Sequence, residues 1–318
     1  MIKKTNIHGD EGYYHKQQSL VVLFDVGIKI YNVDSSNDFR LIYRSEAIRE
    51  PSCVCYGKLN RIFWIATTEN RVYGVKIDEN KVACDFKIRR VDGISDFEIT
   101  SIGISNDEKW LFFGAISSQG DIMFTYNINN GNVVTLDIGV EISIPFPLIK
   151  YRGDCIAVYK KSNLSFDYRD KLLLKKEVSN HSLDSEVNIR LEIIKLNPYW
   201  NRKLRDLLQI SDDGRYFLCE KKGTRYDRTI VIDAETEQIM SGDALPEAIC
   251  ACYDAEKNRF IAANSNEVFS ASLNNKKVGY HRIFDFKETT IRNLILMNNH
   301  LLVLMDKNSY LLDVRGKQ

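Results

Sequence analysis

Ile104-Ser105-Asn106-Asp107-Glu108-Lys109-Trp110-Leu111-Phe112 and Ile210-Ser211-Asp212-Asp213-Gly214-Arg215-Tyr216-Phe217-Leu218 align position for position. Each passes from the end of an apolar run, through a short polar stretch, to a basic residue, an aromatic and a second apolar run. Turn residues between two apolar runs of strand length mark a β-hairpin, and Asp213-Gly214 is a strong form of that signal. A second pair repeats in the same manner. Cys53-Val54-Cys55-Tyr56 precedes Asn60-Arg61-Ile62-Phe63, and Cys250-Ala251-Cys252-Tyr253 precedes Asn258-Arg259-Phe260-Ile261, the two aligning with one inserted turn residue.

Outward from these hairpins, apolar second strands begin near Leu20, Ile62, Trp110, Cys155, Tyr216, Phe260 and Leu301. The interval is roughly 40 to 50 residues, with one longer gap before Tyr216, and that period belongs to four-stranded propeller blades. Seven starts predict an all-β, seven-bladed β-propeller formed by residues 1–318 as a single domain. Third strands follow at Gly27–Val33, Arg71–Ile77, Ile122–Ile128 and Arg228–Asp233. Each leads into a turn rich in Asn, Asp or Gly, residues that tolerate turn backbone angles, or in Glu and Thr at 234–237. Fourth strands are expected at Lys81–Ile88 and Asn132–Ile138. Only five prolines and almost no helical periodicity support the all-β reading.

The chain ends supply a separate expectation. The seventh repeat stops after its third strand, Ser309–Val314, while residues Ile2–Ile7 precede the first repeat without a partner. Pairing the two completes the last blade and removes an exposed sheet edge.

The spacing, the Ser211–Tyr216 turn and Ile230-Val231-Ile232-Asp233-Ala234-Glu235-Thr236 resemble the repeats of WD40-like and related seven-bladed propellers. The resemblance spans nearly the whole chain. Neither a Gly-His nor a Trp-Asp dipeptide occurs, so the buried His-Asp network of strict WD40 repeats does not carry over, and no subfamily is indicated. The resemblance implies a non-enzymatic subunit of a larger assembly.

One repeat is irregular. Around residues 160–205 there is more chain than a blade needs. Asn163–Arg169 as third strand with Lys171–Glu177 as fourth, or Arg190–Leu196 as third, both fit the pattern. Lys160–Arg205 carries 11 Lys and Arg against 6 Asp and Glu, and within it Asn197-Pro198-Tyr199-Trp200-Asn201-Arg202-Lys203 joins cations to two aromatics. Trp, Tyr and Arg are the usual anchors of protein interfaces, so Tyr199, Trp200, Arg202 and Lys203 are the expected partner-binding residues. The bland alternative packs Tyr199 and Trp200 onto their own blade.

Composition bounds the remaining classes. With 44 Lys and Arg against 43 Asp and Glu, the chain has no global field to draw nucleic acid or an acidic membrane. No apolar run approaches the roughly 20 residues of a membrane helix. No signal-peptide core follows Met1–His8, and seven cysteines form no spaced framework, so reduced thiols and a cytoplasmic location are expected.

Cys53/Cys55 and Cys250/Cys252 each place two thiols on one strand face, which a thiophilic ion uses, but buried cysteine also packs as a small apolar residue. The five histidines stand in no metal-ligand pattern, and there is no nucleophile elbow or phosphate-binding loop. No metal or cofactor is therefore expected. Charged residues at strand starts, Glu50, Glu98, Arg205, Asp206, Glu247 and Arg292, are candidates to line a channel mouth, either as a site or as a solvated rim. The primary expectation is a protein–protein interaction scaffold. A channel-centred lactonase, hydrolase or lyase is the alternative, and a nucleic-acid-binding propeller a third.

Overall fold

A computed structural model of the chain describes residues 2–15, 18–104, 108–118, 120–135, 148–152, 155–159, 173–176, 204–211, 215–221, 228–233, 236, 238–274, 277–287, 290–306 and 308–315. Its strands run in chain order. β1 (Ile2–Thr5) is followed by β2 (Glu11–His15), β3 (Leu20–Phe24), β4 (Ile28–Val33) and β5 (Phe39–Ser45). Next come β6 (Pro51–Gly57), β7 (Ile62–Thr67), β8 (Arg71–Lys76) and β9 (Lys81–Lys87), then β10 (Phe97–Ile104), β11 (Trp110–Ser117), β12 (Gly120–Asn127) and β13 (Val133–Thr135). β14 (Leu148–Arg152), β15 (Cys155–Tyr159) and β16 (Leu173–Lys176) precede β17 (Leu204–Ile210), β18 (Tyr216–Lys221), β19 (Arg228–Asp233) and β20 (Gln238–Ile239). The chain ends with β21 (Ser241–Gly242), β22 (Cys250–Asp254), β23 (Arg259–Ala263), β24 (Glu267–Asn274), β25 (Lys277–Asp285), β26 (Ile291–Met297), β27 (His300–Met305) and β28 (Ser309–Asp313).

Among the described residues these strands form seven sheets, each built on an up-and-down antiparallel run, to which β1 adds as an antiparallel edge beside β28 and the short β21 as a parallel edge beside β25. The seven second strands start within one residue of the positions read from the sequence. The chain divides into two compact units, Met1–Arg49 with Lys203–Gln318, and Glu50–Arg202.

The first unit holds the sheets β2–β5, β17–β20, β22–β25 and β26–β28. Successive sheets of this unit pack face to face, which explains why their second strands are continuous apolar runs instead of alternating ones. In β27, Leu301 and Val303 pack with Ile261 and Val268 of the preceding sheet, while Leu302 and Leu304 pack with Val21 and Leu23 of β3. In β23, Ile261 and Ala263 face β26–β28, while Phe260 and Ala262 face Leu218 and Val231 of β18 and β19. Each of the Val, Leu, Ile and Phe side chains among them contributes about 1.5 to 3 kcal/mol relative to exposure.

The second unit holds β6–β9, β10–β13 and β14–β16. Trp64, Ala66 and Val72 pack against Ile99, Phe113 and Phe124 of the next sheet. First strands lie beside first strands in both units, β6 with β10 and β22 with β26. β16 pairs directly with β15, Cys155 opposite Lys176, so it takes the third place in its sheet. That corrects the alternative that made Lys171–Glu177 a fourth strand. Asn163–Arg169 and Arg190–Leu196 lie outside the described residues.

The registers test the two repeats. Ile104 pairs with Leu111 and Ile210 with Phe217, so the first hairpin pair superposes as aligned. In the second pair, Cys53 faces Ala66 and Tyr56 faces Phe63, and Cys250 faces Ala263 and Tyr253 faces Phe260. These are the same register with no insertion. The inserted residue in the sequence alignment is thus incorrect: Arg61 corresponds to Asn258, and both are the left-handed residue closing the turn, with φ of 55° and 46°. The shared Asn-Arg dipeptide misled the alignment because identity there does not reflect backbone position.

β1 completes the last sheet. Ile2 pairs with Leu312 and Thr5 with Ser309, and Thr5 Oγ1 donates to the Ser309 carbonyl at 3.1 Å. Lys3 adds an ion pair to Asp38 in the β4–β5 turn. The far end of β28 is held from the preceding sheet. Lys257 Nζ donates to the carbonyls of Val314 (2.7 Å) and Arg315 (2.6 Å), and Arg259 Nη2 donates to that of Val314 at 3.1 Å. Arg259 is 1% exposed and its Nε donates to Asp254 Oδ2 at 3.0 Å.

Two outcomes are expected. Deleting residues 1–7 strips the edge of β28 and should lower the calorimetric midpoint by roughly 5 °C or more. Asp254→Ala, which leaves a buried guanidinium without its carboxylate, should cost about 3–5 kcal/mol in urea unfolding, much of it recovered in Asp254→Leu/Arg259→Met. Equal stability of the single and double variants would show that the pair is not what holds this corner.

Candidate interaction surface

The β3–β4 connection is the short turn Asp25-Val26-Gly27, bounded by the pair Phe24 and Ile28. Asp25 closes it from both sides: its N–H donates to the Gly27 carbonyl at 3.0 Å, and its Oδ1 accepts from the Gly27 N–H at 3.1 Å. A β-carbon on Gly27 would lie 2.5 Å from the Ser45 carbonyl oxygen, so only glycine lets β4 and β5 approach this closely. The Lys29 ammonium ion-pairs with the other Asp25 oxygen, and Lys29 sits directly across from Arg44.

Partial burial works to raise the Asp25 carboxyl, but the bond from Lys29, the Gly27 N–H and the Arg44 charge outweigh it and hold the pKa below the usual carboxylate value. Beside this turn lies a half-open groove of about 310 Å³, lined by Asp25, Val26, Lys29, Arg44 and Glu46 among others. Val26 stands at its lip, 83% exposed. The sequence reading passed over this site; its one signal is a short Asp-x-Gly turn between two buried runs.

Other turns are fixed in the same way, by a side-chain oxygen accepting backbone N–H groups. Asp34 Oδ1 accepts from Ser36 and Asp38 at 2.8 and 2.9 Å. Asn264 Oδ1 accepts from Asn266 and Glu267 at 3.0 and 2.7 Å. In the second unit the carboxylate of Glu108 grips the β6–β7 turn, taking the N–H of Leu59 at 2.5 Å and that of Asn60 at 2.9 Å.

The residues expected to bind a partner, Tyr199, Trp200, Arg202 and Lys203, lie outside the described residues. The charged strand-start residues are engaged on their own sheets: Glu50 Oε2 accepts from Thr68 Oγ1 at 2.8 Å, and Arg292 ion-pairs with Asp306. Glu98 and Glu247 are exposed, and Arg205 and Asp206 lie on β17 with side chains outside the described set. Arg292 occupies a β-bulge, an irregularity that re-aims one side chain. The equivalent bulges in β6 and β10 carry Ser52 and Thr100, whose hydroxyls donate to the carbonyls of Ala66 and Gly114, each at 3.3 Å.

Cys53 and Cys55 pack against the apolar core between β6–β9 and β10–β13, and Cys250 and Cys252 against that between β22–β25 and β26–β28. Burial pushes the Cys250 thiol up to about 12, and burial, with Cys53 and Glu108 nearby, raises Cys55 well above the usual thiol value. Among the described residues no three or more His, Cys, Asp or Glu side chains gather to hold a metal. Packed in these cores, the thiols serve as small apolar side chains. Because a raised pKa removes the reactive thiolate, Cys250 should alkylate with iodoacetamide at pH 8 at least about 100-fold more slowly in the native chain than in urea. Native rates matching the unfolded ones, read by peptide mass spectrometry, would contradict that packing.

No protein-family model matches the chain, and no curated protein matches it in sequence. Solved structures do. The β-propeller domain of Myceliophteria thermophila Cps50 (Swd1) matches with a TM-score of 0.64 at 12% identity, covering 99% of this chain and 100% of that one. A chain in the crystal structure of the mitotic checkpoint complex matches with a TM-score of 0.65 at 10% identity, covering 99% of this chain and 93% of that one. The chain has a β-propeller fold, its last sheet completed by the N-terminal strand.

Proposed function

We propose that the chain is a non-enzymatic scaffold, a single propeller domain that holds other proteins as a subunit of a larger complex in the cytoplasm. The observation that carries this reading is the preorganisation of its turns. Asp25, Asp34, Glu108, Asn127 and Asn264 each hold neighbouring backbone N–H groups, so exposed side chains on these loops are presented with little ordering cost. A partner then gains most of its contact energy as affinity. The fold likeness to a chain of the mitotic checkpoint complex supports an assembly role.

On this reading the basic and aromatic segment around Tyr199, Trp200, Arg202 and Lys203 forms one contact surface. The chain, tagged and purified from its native host, should bring down at least one protein in stoichiometric amount. The quadruple alanine variant at these four positions should lose it while keeping the wild-type thermal midpoint. Retention of the partner removes these residues from the interface, and absence of any stoichiometric partner on the wild-type chain overturns the scaffold reading.

A further inference from the structure

The β6–β7 turn, Lys58-Leu59-Asn60-Arg61, presents Leu59 to solvent at 69% exposure. An exposed leucine alone means little. This one is held in place by a group that the second unit buries for the purpose. Glu108, 6% exposed, reaches from the β10–β11 connection and spends both carboxylate oxygens on the turn. It takes the Leu59 N–H, the Asn60 N–H and the Asn60 side-chain amide, the last at 3.0 Å. Gly57 leaves the space for it, since a β-carbon there would lie 2.8 Å from the carboxylate. Glu108 itself adopts a left-handed backbone, φ 53°, which costs a residue with a β-carbon.

Nothing in the geometry of such a turn asks for leucine. The β22–β23 turn has the same register and the same closing left-handed residue, and carries Glu256 at the matching position. The β8–β9 turn, between Lys76 and Lys81 and closed by left-handed Asn80, carries Asp78 there. At this position, of the three turns only this one carries an apolar side chain, and its neighbours form a rim of mixed charge in which cations outnumber anions. Arg61 pairs with Asp78, and Lys76 and Lys81 share Glu79, while Lys58 is exposed in the turn itself. Half-buried Tyr56, bonded to Arg61 through its hydroxyl, extends the apolar area at the base of the turn.

We infer that the Leu59 turn is a docking point for an acidic amphipathic segment of a partner protein, whose apolar side chains pack on Leu59 while its carboxylates meet Lys58, Arg61, Lys76 and Lys81. The pattern is that of an interface anchor: a fixed apolar centre, with charges at the edge that set orientation and association rate. This deepens the scaffold reading and rests on it.

The test uses the full chain and a phage-displayed library of random 12-residue peptides. Enriched peptides should combine Asp or Glu with large apolar residues. Their affinity should fall about tenfold or more on Leu59→Asp and Leu59→Ser, remain on Leu59→Met, and weaken on Lys58→Glu and with added salt. Because Leu59 is exposed, these variants should keep the wild-type thermal midpoint. Peptides that bind Leu59→Asp as tightly as wild type, or enrichment without acidic residues, or no enrichment, overturn the inference. A stoichiometric host partner that stays bound to Leu59→Asp overturns it while leaving the scaffold reading standing; absence of such a partner from the wild-type chain removes both.

Discussion

Burial of the second strands on both faces is the constraint from which the rest follows. A strand with water on one face alternates apolar and polar residues; a strand enclosed on both cannot. Within each unit the second strands are enclosed, so β3, β7, β23 and β27 have no exposed residue along their length. The same enclosure dictates how the last sheet must end. β28 without a partner would expose its backbone beside the buried apolar run Leu301–Met305 of β27, and β1 supplies the missing neighbour. Lys3 and Lys4 on that outer strand are the residue type expected where a sheet edge must stay unpaired.

Enclosure also explains what was readable in the sequence. A run such as Leu20–Phe24 or Leu301–Met305 announces itself, and the turn residues after each third strand announce the next step. The second strands, and the third strands at Gly27–Val33, Arg71–Ile77, Ile122–Ile128 and Arg228–Asp233, therefore fall within about two residues of their places in the fold, whereas the third strand beside β15 does not, and the N-terminal strand is assigned to the last sheet by counting. First strands gave a weaker signal. β6 and β22 are half-buried throughout and built from Ser, Cys, Ala and Val, so neither periodicity nor hydrophobicity marks them strongly. The bulges at Ser52 in β6 and Thr100 in β10 left no trace, because a hydroxyl capping the opposite carbonyl looks like any surface serine or threonine in a string of letters.

The candidate surfaces were harder to see than the fold, and for a physical reason. The sequence reading sought clusters of unusual composition, and found the basic and aromatic stretch around Tyr199 and Trp200. The groove at Asp25 and the Leu59 turn have ordinary composition. What distinguishes them is the company each side chain keeps: Asp25 with Gly27 and Lys29 across a tight turn, and Glu108 with a turn nearly fifty residues earlier in the chain. Pairings at that separation have no local signature.

The two matching turns of β6–β7 and β22–β23 show how one backbone shape is held by opposite chemistry. In the first, the position at the base of the turn is Gly57, and the carboxylate comes from the next sheet as Glu108, accepting N–H groups. In the second, the base position is Asp254, which keeps its carboxylate for Arg259 of its own sheet, and the link to the next sheet is made by Lys257 donating to carbonyls. Asn60 and Lys257 occupy the same place in their turns and each reaches the next sheet, Asn60 through Glu108 and Lys257 through the carbonyls of Val314 and Arg315. The second arrangement uses its turn to fasten the chain's own C-terminal strand, and its exposed position is acidic and polar. The first is fastened to the adjoining sheet through Glu108 and holds an aliphatic side chain out to solvent. That difference between turns of equal geometry is the reason to read Leu59 as directed outward, toward another molecule.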